Sequence, residues 1–162
     1  SAKHVHKAFP YRVDAFSSGE AGPCGWVEEG RVRWAREIVA GGRGAYAELL
    51  HRLPAAKAWP WVEVICSGAG ANGLAVDALV QAGVKGLVVA ATGNGSLHHA
   101  LRSALLRAQQ QGVCVRVGTR CGLGHSLVGP AGDFAGASGL SPIKARIQLV
   151  LDLMSRHVAQ GE

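Results

Sequence analysis

Ser96, His98 and His99 stand within four positions of one another, and a hydroxyl beside an imidazole is the raw material of acyl transfer. Their spacing argues against that use. Two residues apart at a helix start, hydroxyl and ring rarely align, and no carboxylate lies nearby in sequence to orient either ring. His98 and His99 are weaker still as a metal pair, since adjacent helical residues point apart. They read as solvent-facing residues of a first helical turn. His125, in Gly122-Leu123-Gly124-His125, is a lone imidazole to which the sequence assigns no role.

Gly68-Ala69-Gly70-Ala71-Asn72-Gly73 satisfies the dinucleotide fingerprint G-x-G-x-x-G, in which amides and a helix N-terminus hold a pyrophosphate. Such a site also needs an acidic residue about 20 positions on, to bind the ribose. The second strand here ends in Ala90-Ala91-Thr92, with no carboxylate. A plain tight turn is the first reading. The alternative is a freestanding small-molecule or nucleotide-binding module that uses this turn and a second one, Gly93-Asn94-Gly95-Ser96. Thr119-Arg120 follows a third strand, where arginine could grip a carboxylate or phosphate, or bridge a subunit interface. Lys144 and Arg146 sit near the positive end of the last helix, which points to a carboxylate partner or a contact with another chain. A structural ion pair is the favoured expectation.

Cys24, Cys66, Cys114 and Cys121 form neither a metal knuckle nor a redox pair. Cys66 and Cys114 fall in strands expected to be buried, Cys121 in a more exposed position, and the thiols are expected to be reduced. No metal or cofactor is expected.

At 162 residues, 48% hydrophobic and 17% charged, the chain is a domain-sized globular protein. No apolar run approaches the ~18 residues that span a bilayer, and no secretory signal is expected in Ser1 to Phe9. The compartment stays open between cytoplasm and periplasm. Net charge is +6, but the arginines are scattered and no lysine-rich tail accompanies them, so neither nucleic acid nor membrane is expected as a partner.

The elements that position these groups follow from periodicity. Residues 1–20 read as an irregular lead, with Phe9-Pro10-Tyr11 extended and Ser17-Ser18-Gly19-Glu20 a turn. Gly25-Trp26-Val27 and Arg31-Val32-Arg33-Trp34, around Glu28-Glu29-Gly30, predict a β-hairpin. Gly41-Gly42-Arg43-Gly44 reads as a mobile loop and Ala45 to Leu53 as a short helix. From there the chain alternates: strand 62–66, helix 72–82, strand 86–91, helix 97–111 and strand 113–117. Leu97, Leu101, Ala104, Leu105 and Ala108 line one helical face, with Arg102 and Arg107 opposite. Gly112 suits a helix C-terminus. Ser141 suits an N-cap and Pro142 the first position of a last helix. That helix repeats Ile143, Ile147, Val150, Leu151 and Met154. The expected fold is α/β: a three-layer, Rossmann-like α/β/α domain on a parallel sheet of about four strands, preceded by the hairpin.

Taken together these segments resemble the C-terminal domain of the bacterial-type L-asparaginases. The resemblance is carried by Asp14-Ala15-Phe16-Ser17-Ser18, Gly22-Pro23-Cys24-Gly25, Ala82-Gly83-Val84-Lys85-Gly86-Leu87-Val88, Gly93-Asn94-Gly95-Ser96 and Thr119-Arg120. It closes with Ser138-Gly139-Leu140-Ser141-Pro142-Ile143-Lys144-Ala145-Arg146, its most specific motif. Enzymes of that family are homotetramers of two-domain subunits that hydrolyse asparagine, some also glutamine, to the acid and ammonia. Their threonine motifs and catalytic lysine lie in the N-terminal domain.

The resemblance implies that residues 1–20, with Lys3 to Lys7, are an interdomain linker remnant and lead, and that 21–162 form one domain. It implies no catalytic residue in this chain, and inactivity when the chain is alone. Its role would be to form a subunit interface in a homo-oligomer, partnering the family's N-terminal catalytic domain around a small amide substrate. Ser96, with Asn94 in the same turn, would complete a neighbouring active site. The family's glutamate before the last helix has no counterpart in Gly129-Pro130-Ala131-Gly132-Asp133-Phe134, where Asp133 is the substitute. Gly68, Gly70, Gly73, Gly93 and Gly95 would be structural turns.

Overall fold

The computed structural model describes residues 4–37, 46–52, 58–126 and 132–159. The loop expected at Gly41 to Gly44, Lys3 and the Gly129-Pro130-Ala131 segment lie outside them. The chain divides into two compact units, Ser1–Gly44 and Ala45–Glu162.

In the first unit, β1 (His6–Lys7) pairs antiparallel with β2 (Phe16–Ser17), so the lead holds one short ladder, followed by a 3-10 turn at Gly19–Ala21. The expected hairpin joins β3 (Gly25–Glu28) to β4 (Arg31–Trp34). Glu28 pairs directly with Arg31, leaving Glu29 and Gly30 as a two-residue turn with φ of 48° and 76°. Both values are left-handed, as a turn matching strand twist requires. Trp26 faces Arg33 across the ladder, and the guanidinium lies 4.4 Å from the indole centroid. Arg33 also donates twice to the Glu28 carboxylate, at 2.8 and 2.9 Å. That bond holds the Glu28 carboxyl below its ordinary value.

The second unit is a four-stranded parallel sheet in the order β5 (Val62–Cys66), β6 (Gly86–Ala91), β7 (Cys114–Thr119), β8 (Ala135–Gly136). Helices α2 (Leu74–Gln81) and α3 (His99–Gln110) connect the first three strands and lie on one face, as right-handed crossovers dictate. Their Val76, Leu101, Ala104, Leu105 and Ala108 pack on Leu87, Val89, Val115 and Val117. The other face carries α1 (Ala47–Arg52) and α4 (Pro142–Ala159), with Leu49, Ala145, Leu149, Val150 and Leu153 on Val62 and Val88. The three-layer α/β arrangement is therefore present. Both middle helices are shorter at each end than the periodicity suggests. Val113 N donates to Ala108 O across Gly112, whose φ of 85° closes α3 in a Schellman turn.

Three expectations need correction. Ile143 and Ile147 are 66% and 52% exposed, because α4 presents its Ala145–Leu149–Leu153 side to the sheet instead. Cys66 is exposed and Cys114 only half-buried, since β5 is an edge strand and Cys114 opens β7. Arg146 pairs with no carboxylate among the described residues; its Nε donates to the Val62 carbonyl at 2.7 Å. Trp61 O and Ser67 N bond toward β6, so Val62 O points to the free edge, and the arginine caps it. No described helix is long and apolar enough to cross a membrane.

A polar clasp fastens α1 to the sheet. Asp152 of α4 accepts from the Tyr46 hydroxyl and from Arg116 of β7. Burial, then the bond to Asp152, raises the Tyr46 phenol above its usual value. Asp152→Asn should therefore lower the unfolding free energy by about 2–3 kcal/mol, because it leaves Arg116 largely buried without its anion. Urea denaturation of the two proteins measures it. A phenol with a raised folded pKa contributes stability that is complete below its unfolded pKa and lost as pH rises through the folded one. The melting temperature should accordingly fall on the alkaline side of about pH 10, the ordinary tyrosine value. Tyr46→Phe should flatten that limb.

Candidate functional site

Because β5, β6 and β7 are parallel and consecutive, their C-terminal ends form one edge, with Cys66 level with Ala90 and Ala91 level with Thr119. Ligands of open α/β sheets gather at such edges. Three connections leave it: the loop from Ser67 to Gly73, the turn from Thr92 to Ser96, and Arg120.

The middle turn is tightly tied. Gly95 N and Ser96 N both donate to Thr92 O, at 3.0 and 2.9 Å, and the Thr92 hydroxyl donates to Ser96 O at 3.1 Å. Gly93 and Gly95 have φ of 48° and 96°, left-handed values that favour glycine. Asn94 and Ser96 are exposed on it. Among the described residues nothing engages the Ser96 hydroxyl, and no imidazole is positioned as its base.

His98 departs from expectation. It is the extended N-cap of α3 and half-buried, its Nδ1 accepting from Ala100 N at 3.3 Å and its own N donating to the buried Ser67 hydroxyl at 3.1 Å. Being outside the helix, it turns its ring onto His99, with centroids 4.3 Å apart. The two rings therefore do not point apart. No group of three or more metal-ligating side chains occurs among the described residues.

The glycine fingerprint has local explanations. Gly70 has φ of 74°, which a side chain rarely adopts. A Cβ on Gly73 would meet Ala104 Cβ at 2.6 Å, so that glycine lets α2 and α3 approach. Gly68 has Arg120 Nη1 over it, 3.9 Å from where a Cβ would be. Neither Gly70 nor Gly73 requires a ligand to account for it.

Asp133 is brought to the same edge. It lies with Gly95, Leu97, Arg102, Val117 and Phe134 around a recess of about 160 Å³. Its carboxylate is ion-paired with Arg102 of α3. The structure thus joins Asp133 to Gly95 of the Gly93–Ser96 turn, while Asn94 and Ser96 flank the recess without lining it. Gly68, Gly70 and Gly73 belong to the neighbouring loop. Arg102 is the residue that sequence reasoning missed: it reads as part of a solvated helical face. Only its place in the first turn of the helix after Gly93-Asn94-Gly95-Ser96 marks it.

Comparison with known proteins agrees with this fold. Residues 61–159 match the Glutaminase/Asparaginase C-terminal domain family model. The chain is 31% identical over 159 residues to a glutaminase-asparaginase of Pseudomonas fluorescens biotype A, covering 94% of this chain and 43% of that protein. It is 32% identical over 158 residues to L-asparaginase 2 of Bacillus subtilis (strain 168), covering 94% of this chain and 40% of that protein. A probable cytoplasmic L-asparaginase from Campylobacter jejuni superimposes with a TM-score of 0.81 at 31% identity, over 94% of this chain and 47% of that one. The chain spans less than half the length of each of these relatives. With a matching family model, a matching fold and two relatives aligned along nearly its whole length, the chain belongs to the glutaminase/asparaginase family and contains its C-terminal domain.

Proposed function

We propose that this chain works as the C-terminal part of an L-asparaginase-like amidohydrolase, forming a subunit interface and completing the active site of a neighbouring catalytic domain. The reaction is the hydrolysis of L-asparagine to L-aspartate and ammonia. The observation that carries this reading is the meeting of Gly95 and Asp133 at one strand edge in a domain of this family. Ser96 offers an exposed, unengaged hydroxyl to a ligand held from outside, and Asn94 shares its turn. Asp133 offers a carboxylate to an ammonium. The hydroxyls of Ser67, Thr92 and Thr119 are all hydrogen-bonded to backbone. This supports a supporting role in place of a nucleophilic one.

Homo-oligomerisation fits the same reading. Ile143 and Ile147 lie four apart on one side of α4, exposed and apolar, as a subunit contact requires. Ile147→Glu should shift the sedimentation coefficient toward the monomer.

Ammonia release provides the main test. The chain alone should release none from asparagine above a heat-killed control, and turnover there would overturn the reading. Mixed with the N-terminal half of an asparaginase relative, it should restore turnover. Ser96→Ala should cut that turnover about tenfold or more by loosening the substrate's placement. The rival, a nucleotide-binding module on the glycine turns, predicts calorimetric nucleotide binding that Gly70→Val abolishes.

A further inference from the structure

The described part of the first unit makes two short ladders but no core. Ala15 is its one buried apolar side chain among the described residues, and neither hydrophobic cluster of the protein includes a residue of this unit. Its β3–β4 hairpin has two unlike faces. On one, Trp26, Arg33 and Glu28 satisfy one another through the cation–π contact and the paired hydrogen bonds. On the other, the register sets Val27 opposite Val32 and Trp34 opposite Gly25. There a ring carbon of Trp34 lies 3.1 Å from where a Cβ on Gly25 would stand, so the glycine gives the indole its seat. Val27, Val32 and Trp34 are 76%, 54% and 61% exposed. A lone two-stranded hairpin is marginal in water, and an apolar face left open on it marks a contact surface.

Three side chains are far fewer than the roughly 20–30 residues a side that hold separate molecules together, so this face does not by itself join two free copies of the chain. It suits a surface kept close by a covalent tether, which raises the effective concentration of a weak contact. The relatives supply such a surface. The family model begins at residue 61, beyond the first unit, yet the relatives align along nearly the whole chain. The first unit is therefore shared with those proteins while standing outside the C-terminal domain model, and more than half of each of them is not spanned by this chain. We propose that the hairpin is a docking element whose Val27, Val32 and Trp34 seat on an apolar patch of the catalytic half, with the Trp26–Arg33–Glu28 face left to solvent. The first unit then belongs with that half and is neither linker nor C-terminal domain. The proposal rests on the reading of the chain as part of an amidohydrolase, and it adds the surface by which the catalytic half is gripped.

Backbone amide exchange, read by mass spectrometry on peptides covering residues 25–34, tests it. In the full chain alone these amides should exchange at least about tenfold faster than those of β6, because nothing covers the hairpin. In a fusion that places the part of the Bacillus subtilis relative not spanned by this chain ahead of the full chain, they should slow by about tenfold or more. Val32→Glu should abolish that slowing while leaving the melting temperature of the chain alone unchanged, since the side chain is exposed there. Arg31→Gln, on the opposite face, should leave the slowing intact. Slow exchange in the chain alone overturns the proposal. It means that a second copy covers the face, if the slowing grows with concentration, or that the chain covers it itself, if it does not. Unchanged exchange in the fusion overturns it as well. Both decisive measurements use the unaltered chain, so a misfolded variant does not affect the outcome. Slowed exchange in a fusion that releases no ammonia sinks the functional reading alone, whereas release with fast exchange at 25–34 sinks this docking surface alone.

Discussion

Every residue of β6 is buried, and that single constraint shapes the rest of the domain. A central strand covered on both faces by helices has no room for an unpaired polar side chain. Leu87, Val89 and Ala91 go to the α2–α3 side and Val88 to the α4 side. Polar chemistry is thereby expelled to the strand ends. Thr92 is the first residue past β6 with a hydroxyl, and it spends that hydroxyl on closing its own turn. The same pattern holds one strand away on each side, where Ser67 receives a bond from His98 N and Thr119 receives one from Cys121 N. The edge is consequently stiff before any ligand arrives.

Much of this architecture was legible because buried parallel strands leave a strong mark. The runs read at 62–66, 86–91 and 113–117 are short and mostly apolar, with glycine close to at least one end, and they correspond to Val62–Cys66, Gly86–Ala91 and Cys114–Thr119. β8 was not legible. It is two residues, Ala135–Gly136, neither with strand propensity, and it pairs because Gly118 leaves space against Ala137. α4 was legible as a helix, but not in its rotation. The stripe from Ile143 to Met154 spans about 100° of arc, but packing is centred instead on the side with Ala145, whose small side chain permits close approach.

The candidate site was legible in part, for a related reason. The Gly93–Ser96 turn announces itself by composition, whereas an ion pair between α3 and a segment some thirty residues away leaves no local signal. The histidine pair was misread because the helix starts two residues later than its pattern suggests. An N-cap has extended geometry, so His98 is released from helical directions and its ring can stack on the next one. Arg146 shows the same limit. A cation near a helix start suggests a carboxylate, but the open edge of β5 supplies a carbonyl in need of a donor, and the arginine reaches it first.

The distribution of polar contacts also bears on the shared active site proposed for the strand-end edge. Ser67, Thr92, Thr119 and His98 all cap backbone groups, which fixes the loops at the cost of any reactive role for those side chains. The Ser96 hydroxyl is exempt, and it stands on a turn held by four hydrogen bonds from or to Thr92. A rigid support under an unengaged hydroxyl is what preorganisation demands of a group that orients a substrate without attacking it. A nucleophile would need the opposite arrangement, with a base at hydrogen-bond distance and a third group holding that base. His98 has committed its Nδ1 to Ala100 N and its ring face to His99, so it has neither the freedom nor the direction to serve Ser96. Under the proposed function, the edge places groups and the bond-breaking chemistry comes from the domain that faces it.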